Sequence, residues 1–351
     1  VNSWTSGLVV ALGAIELEPG DEVIVTPWTM SATATAILHW NAIPVFVDID
    51  ADTFNIDPNL ILENISNYTK AIVVADIFGQ SADIDEIMKI AKRFNLKVIS
   101  DTAQAPGATY KKKLAGTLAD IGGFSLNYHK HIHTGEGGIL VTNCKNLAEK
   151  MRLIRNHAES VVEAKGEKNL INMIGHNFRL GEIECAIGIE QLKKLNKIIR
   201  LKKKLAQQLD KGLSNLNGLI TPVVKSDRDH VYYVYGLKID INKIKVSKNL
   251  ICNAIIAEGV PLYKSYANIH LLPMYQKKIA YGSKGFPWTS EYCKREINYK
   301  KGICPVAEEL QDKSFFGFGL CSYELNETHI DLIIKAFQKV WENLDELKCN
   351  S

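Results

Sequence analysis

Asp101, Ser125 and Lys130 are the residues of this sequence whose types and spacing could do chemistry together. Lys130 lies in a polar loop, Asn127-Tyr128-His129-Lys130-His131-Ile132-His133-Thr134, which follows the apolar run Gly122-Gly123-Phe124-Ser125-Leu126. The loop ends in Gly135-Glu136-Gly137-Gly138, and a second run, Ile139-Leu140-Val141-Thr142, comes after it. Two strands thus hold one amine in the loop between them, with a serine hydroxyl five residues upstream. Solvated loop lysines are the common case. A partly desolvated lysine differs, because its pKa falls and the neutral amine attacks a carbonyl carbon to form a Schiff base.

Upstream, Leu96-Lys97-Val98-Ile99-Ser100-Asp101 reads as a short buried strand that ends in a carboxylate. Such an end lies at the carboxyl edge where an open α/β sheet meets its ligand. A strand-end aspartate, a serine and a lysine on a later loop answer the needs of pyridoxal 5'-phosphate (PLP). The carboxylate keeps a pyridine nitrogen protonated, the lysine attaches the aldehyde, and hydroxyls with backbone N–H groups hold the phosphate.

Three motifs follow in order: Asp101-Thr102-Ala103-Gln104; Phe124-Ser125 with Lys130 and Thr134-Gly135-Glu136-Gly137-Gly138; and Gly175-His176-Asn177-Phe178-Arg179. With them the chain resembles the DegT/DnrJ/EryC1/StrS family of sugar aminotransferases, a branch of the fold-type I PLP enzymes. The resemblance runs from residue 2 to the C-terminal helix. It implies that Lys130 carries the cofactor, that Asp101 supports the ring nitrogen, that Gln104 sits beside the ring, and that Ser125 binds the phosphate. Asn2 to Leu8 resembles the family's Ser-Gly-Thr-Ala-Ala-Leu motif. Thr5 and Ser6 are therefore expected at a helix start, where free N–H groups and the dipole favour a phosphate; a plain N-cap is the alternative. Met30 stands where the family has an aromatic, and its thioether can pack on a ring face. Trp28, two positions earlier, is either a ring partner or core.

The resemblance also implies that Asn177 reaches the cofactor phosphate of a neighbouring subunit, which makes the functional unit a homodimer with shared sites. It places His157, Arg179 and His270 on the substrate side, although a solvated histidine at 157 and a loop brace at 179 stay open. Trp4 departs from the family, which has glycine there, and the chain opens inside a motif, so it reads as truncated at its start. Relatives with histidine in place of the lysine are sugar dehydratases; Lys130, aligned by Ser125 and Gly135-Glu136-Gly137-Gly138, favours transamination. His129, His131 and His133 alternate without a carboxylate partner, unlike the i, i+4 pair of a zinc site, and no metal is expected.

The elements that must position these residues are legible. Apolar runs at 23–26, 43–48, 71–76 and 96–101 alternate with helical stretches at 31–39, 59–67 and 83–94. This rhythm predicts an α/β fold, with a mainly parallel sheet flanked by helices and right-handed crossovers. The resemblance makes it aspartate aminotransferase-like: a large PLP-binding domain at 1–198 and a smaller C-terminal α+β domain at 199–351. No G-x-G-x-x-G follows the first strand, so a nicotinamide-binding Rossmann domain lacks its fingerprint. Residues 158–172 read as a mobile loop near the site. An amphipathic helix is expected over 180–195 with apolar positions Ile183, Ile187 and Leu192, then a basic helix from Ile199. A strand is expected over 230–237, a helix over 246–258 and a closing helix over 327–347.

Composition excludes some classes. In 351 residues, 42 Lys+Arg stand against 39 Asp+Glu, a net charge of +3, and the signs are interspersed, which gives no reason to propose nucleic acid. The seven cysteines (144, 185, 252, 293, 304, 321, 349) are odd in number and lack a C-x-x-C pair, so they read as reduced thiols of a cytoplasmic protein. No apolar stretch is long enough to span a bilayer, and no membrane partner is expected. The expected function is a PLP-dependent aminotransferase moving an amino group from glutamate to a keto sugar, one linked to a nucleotide. A PLP-dependent sugar dehydratase, a cyclitol aminotransferase and a non-catalytic PLP-fold binding protein stay open. The sugar comes from the resemblance alone.

Overall fold

The structure is a computed structural model, and it describes residues 1–348. Its centre is a six-stranded sheet built from β1 (Glu22–Val25), β2 (Ile43–Phe46), β3 (Thr69–Ala75), β4 (Lys97–Asp101), β7 (Ile121–Ser125) and β8 (Gly138–Val141). A two-stranded hairpin, β5 (Thr109–Tyr110) with β6 (Lys113–Leu114), interrupts the series. The order is β2-β1-β3-β4-β7-β8; every pairing is parallel except β7 with β8. Strands β1 and β2 are buried along their whole length, as expected where helices cover both faces of a parallel sheet.

The helices on those faces follow their local signals. α1 (Trp4–Ala14) is capped by Ser3, whose hydroxyl accepts from the Ser6 backbone N–H. It is nearly all buried, so it starts one or two residues before the Thr5-Ser6 start expected from sequence. α2 (Ala32–Leu38) and α3 (Pro58–Asn64) come next, the latter with Asp57 as N-cap and Pro58 at its first position. α4 (Ile84–Arg93) carries Asp85 and Glu86 in its first turn and Lys92 and Arg93 in its last, which matches the dipole at both ends. α5 (Lys145–Arg155) follows β8.

Where two helices were expected, one runs. α6 spans Glu182–Leu213, 32 residues, because no proline or turn signal breaks it. Position 198/199 lies inside it. Ile183, Ile187 and Leu192, the apolar stripe of its first half, face outward and are 76%, 42% and 61% exposed. Its second half packs Leu205, Leu209 and Leu213 into a separate core with a small antiparallel sheet, β9 (Leu219–Ile220), β10 (Tyr235–Ile239) and β11 (Phe315–Phe318). α7 (Lys248–Ala257) and, later in the chain, Ile330 to Val340 complete that core. β10 begins at Tyr235, not His230, since Tyr232 takes a left-handed φ of 53° that no strand accommodates.

The chain between these elements returns to the first core. Ile269, Tyr275, Trp288, Ile297, Tyr299 and Leu310 pack there, through the short helices α8 (Pro273–Gln276) and α9 (Pro305–Glu309). α10 (Glu327–Glu342), with a capping box at Asn326, and α11 (Leu344–Lys348) end the described chain. Cys144, Cys185, Cys252, Cys293, Cys304 and Cys321 are unpaired thiols, and Cys349 lies outside the described residues. Among the described residues no helix is long and apolar enough to cross a membrane.

Candidate active site

At the carboxyl ends of β3, β4 and β7 lies a cavity of about 320 Å³. It is lined by Ser3, Trp4, Thr5, Met30, Asp101, Gln104, Ser125 and Lys130, and also by Thr29, Thr33, Asp76, Asn127, His129, Glu136, Tyr233, Tyr263 and Tyr266. Parallel pairing of β4 with β3 and β7 sets Asp101 beside Ala75 and Gly123, so the carboxylate emerges at the sheet edge. Gly122 and Gly123 let other backbone and the Trp4 ring come close, since a Cβ at either would overlap them.

Asp101 is buried, and every hydrogen bond to it comes from an uncharged donor. The Trp4 indole N–H donates to Oδ1 at 2.6 Å, the Thr33 hydroxyl to Oδ2 at 2.8 Å, and the Ala103 N–H to Oδ1 at 3.2 Å. Burial raises its pKa, while Thr33, Trp4, Ala103 and the charge of Lys130 pull the other way. Lys130 is the complement. Burial pushes its amine down to about 8, against the opposing pull of Asp101. His129 is held neutral, its pKa brought to about 4 by burial and by Lys130.

Gln104 is fixed by two contacts. Its Oε1 accepts from the Phe78 N–H at 2.9 Å and its Nε2 donates to the Tyr266 hydroxyl at 3.1 Å. Phe78 holds a left-handed φ of 57°, a strained conformation for an aromatic residue, and it aims that N–H at Gln104. The Ser125 hydroxyl accepts from the Asn127 N–H at 3.3 Å. Thr5 sits in the first turn of α1 beside the cavity, whereas Ser6 turns away to its Ser3 cap, 2.9 Å between hydroxyls, and does not line it.

Other expected residues lie elsewhere in this chain. His270 is fully buried against Phe46, its Nε2 2.9 Å from Glu308 Oε1, and it lies outside the cavity lining. His157 adopts a left-handed φ of 50° and lies 3.8 Å from Glu159, outside the cavity lining. Asn177 is exposed and pairs in a bridge with Asn156, and Arg179 donates to Asn156 Oδ1 at 2.6 Å, bracing the loop. Trp28 is core, stacked on Phe54, tilted against Tyr266 and edge-on to Phe315, while Met30 stands at the rim, 64% exposed. His131 is buried with Nε2 2.7 Å from the Val231 carbonyl, and His133 faces outward.

Sequence reasoning missed Thr33, Tyr233 and Tyr266. Thr33 had a signal, an i, i+4 pairing with Thr29 whose hydroxyl lies 3.1 Å away. Tyr266 falls in the stretch 263–275, which resembles the family's substrate-side loop, while Tyr233 had no signal.

The donor set fits PLP. The first turn of α1 with Thr5, and the Ser125 hydroxyl, suit a phosphate; a buried carboxylate suits a ring nitrogen; a buried, weakly basic amine suits an aldehyde.

The sequence profile of the DegT/DnrJ/EryC1/StrS aminotransferase family matches residues 1–312. The spore coat polysaccharide biosynthesis protein SpsC of Bacillus subtilis is 34% identical over 305 residues, covering 85% of this chain and 78% of that protein. GDP-perosamine synthase of Caulobacter vibrioides is 34% identical over 275 residues, 78% of this chain and 73% of that one. The aminotransferase of Psychrobacter cryohalolentis, known from an X-ray structure, superposes with a TM-score of 0.83 at 29% identity, over 98% of this chain and 87% of that one.

Proposed function

Because the chain belongs to the DegT/DnrJ/EryC1/StrS aminotransferase family, we propose that it moves an amino group from glutamate to a nucleotide-linked keto sugar. It is a PLP-dependent aminotransferase, and the proposal concerns its substrates, its residue roles and its assembly. The observation that carries the residue roles is the meeting of the weakly basic Lys130 amine with the buried Asp101 carboxylate in one cavity.

PLP, when bound, supplies an aldehyde for amines and a ring that takes up the electron pair left by a broken C–H bond. The rest falls to the chain. Lys130 attaches the aldehyde through Nζ. Once a donor amine displaces it, the same nitrogen would be free to move a proton between the two carbons that flank the donor's nitrogen. An amine pKa near 8 leaves roughly a tenth of it neutral at pH 7, enough to act as both base and acid. Asp101 keeps the ring nitrogen protonated. The first turn of α1 with Thr5, and Ser125, hold the phosphate; Gln104 and Met30 bound the ring.

A keto sugar suits the rim, where Tyr263 and Met30 are exposed and uncharged. Relatives support that class: one is named for a GDP-linked sugar and another for polysaccharide biosynthesis. Among the described residues lining the cavity, Lys130 is the one lysine or arginine, so a phosphate or donor carboxylate lacks a second cation. A second copy of the chain supplies the remainder, through Asn177 and Arg179, and the exposed apolar stripe of α6 supports such a homodimer. The scattered unpaired thiols suit a cytoplasmic enzyme.

The visible absorption spectrum of the purified protein with added PLP tests this reading. A yellow band that bleaches to the pyridoxamine form on adding glutamate is the expected result. A band indifferent to glutamate would remove the proposed donor, and no band would overturn the reading of the site.

A further inference from the structure

We propose that Trp4, working with Thr33, is a positioning residue that holds the Asp101 carboxylate in its anionic form and in one orientation. This rests on the PLP reading of the site and goes beyond it, to a residue outside the set expected to touch the cofactor.

The chain builds a slot for this indole. Ser3 caps α1 so that Trp4 is its first residue, and the ring points inward onto the sheet. A Cβ on Gly123 would lie 1.9 Å from Cζ3 of the ring, one on Gly7 would lie 2.6 Å from Cε3, and one on Gly138 would lie 2.9 Å from the Trp4 Cα. Gly123 and Gly7 leave room for the ring itself, and Gly138 leaves room for the Ser3–Trp4 backbone that carries it. The slot aims Nε1 at Oδ1 of Asp101, 2.6 Å away, while Thr33 Oγ1 lies 2.8 Å from Oδ2.

Donor chemistry separates the two partners. A hydroxyl can turn from donor to acceptor, and Thr29, 3.1 Å from Thr33, gives it somewhere to turn. An indole N–H only donates. A proton placed on Oδ1 would therefore face another proton, and Trp4 selects the anion at that oxygen. The work is needed because the surroundings are divided. Lys130 favours the charge on Asp101, whereas burial and the neighbouring Asp76 carboxyl oppose it, and the Tyr266 hydroxyl senses it from the far side. A neutral donor offsets burial without cancelling the charge that a protonated ring nitrogen requires.

The test is PLP affinity as a function of pH, measured by absorbance titration on the wild type, Trp4→Phe, Asp101→Asn and the double variant. Trp4→Phe should weaken binding about tenfold at pH 7, the size of one hydrogen bond to a charged group. Its acid limb should move to higher pH, with recovery toward wild type in alkali. In the Asp101→Asn background the same change should add less than about twofold, because the group it acts through is gone. Thr33→Val strips the other donor, leaves the slot intact, and should shift the acid limb the same way; it carries the test if Trp4→Phe does not fold. Unchanged affinity at every pH, or a loss that is independent of pH and adds fully to Asp101→Asn, would overturn the proposal while leaving the PLP reading in place. A wild-type chain that takes up no PLP would overturn both.

Discussion

The Nζ of Lys130 stands 4.3 Å from the centroid of the Tyr233 ring, a cation–π contact between the loop after β7 and the segment that enters β10. Burial is what lowers the Lys130 pKa, and Tyr233 supplies part of that cover. Replacing Tyr233 by alanine admits water, so the amine should climb from about 8 toward its ordinary 10.5. At pH 7.5 the neutral fraction then falls, roughly tenfold for each unit of rise. PLP attachment, followed by stopped-flow absorbance, should slow accordingly and regain its rate at higher pH. Lys130→Ala is the control and should leave no borohydride-fixed cofactor. An unaltered pH profile in Tyr233→Ala would deny the ring this role.

Acid should destabilise the fold well above the ordinary carboxylate range. Burial brings His131 to about 4 and His230 to about 3, against 6.5 for a free histidine. Below pH 6.5 the unfolded chain takes up protons that the folded chain refuses, so stability is full above 6.5 and falls as pH drops toward 4. Asp76 opposes this in part. Its carboxyl is raised to about 6 by burial, so the folded chain gains one proton early. His129, brought to about 4, acts in the same direction, so the histidines outnumber Asp76 and the net effect between pH 6 and 4 is a loss of stability. Urea midpoints at pH 7, 6 and 5 measure it; equal midpoints would mean that the histidines are not buried as neutral groups.

How much of this could be read from the sequence depends on distance along the chain. Apolar runs ending in Asp76 and Asp101 gave the strands and their carboxylates, and the Ser125 to Gly138 motif gave Lys130 its neighbours. Glycine spacing gave the turn after the lysine. The Trp4–Asp101 bond was hidden because it joins positions 97 residues apart, and Trp4 alone reads as a departure from a motif. The burial of His270 was hidden for a related reason. Its motif lies beside a loop that lines the cavity at Tyr263 and Tyr266, yet the ring direction is set by Glu308, 38 residues on. The long α6 was read as two helices because its pattern changes midway from an outward apolar stripe to a basic face over buried leucines, a change of surroundings and not of backbone.

Arg295 reaches back to the start of the sheet. Its Nε and Nη2 donate at 2.8 and 2.7 Å to the two oxygens of Glu22, which is 2% exposed on β1, and Ser66 donates to the same carboxylate at 2.6 Å. Arg295→Ala leaves a buried anion with one neutral partner. Arg295 is itself partly exposed, so the loss is discounted from the 3–5 kcal/mol of a fully buried pair to about 2 kcal/mol. Thermal unfolding should register it as a lower Tm. Glu22→Gln on top of Arg295→Ala should recover part of the loss, since the unpaired charge is then gone; a double variant as weak as the sum of the singles would reject the pair.

Sharing of sites between two copies makes a sharper demand on the dimer than its existence does. Asn177 and Arg179 lie outside the cavity of their own chain, on a loop that leads into the exposed stripe of Ile183, Ile187 and Leu192. If this loop completes a neighbour's phosphate site, Asn177→Ala and Lys130→Ala should each be nearly inactive alone. In a hybrid of the two, one site has both defects and the other has neither. Equal mixing makes half the dimers hybrid, so activity should return to about a quarter of wild type in the mixture and about half in hybrids isolated through both tags. Separately tagged subunits, co-purified and assayed for glutamate-dependent bleaching of the yellow band, give the measurement. Hybrids that form and stay inactive would confine each site to a single chain.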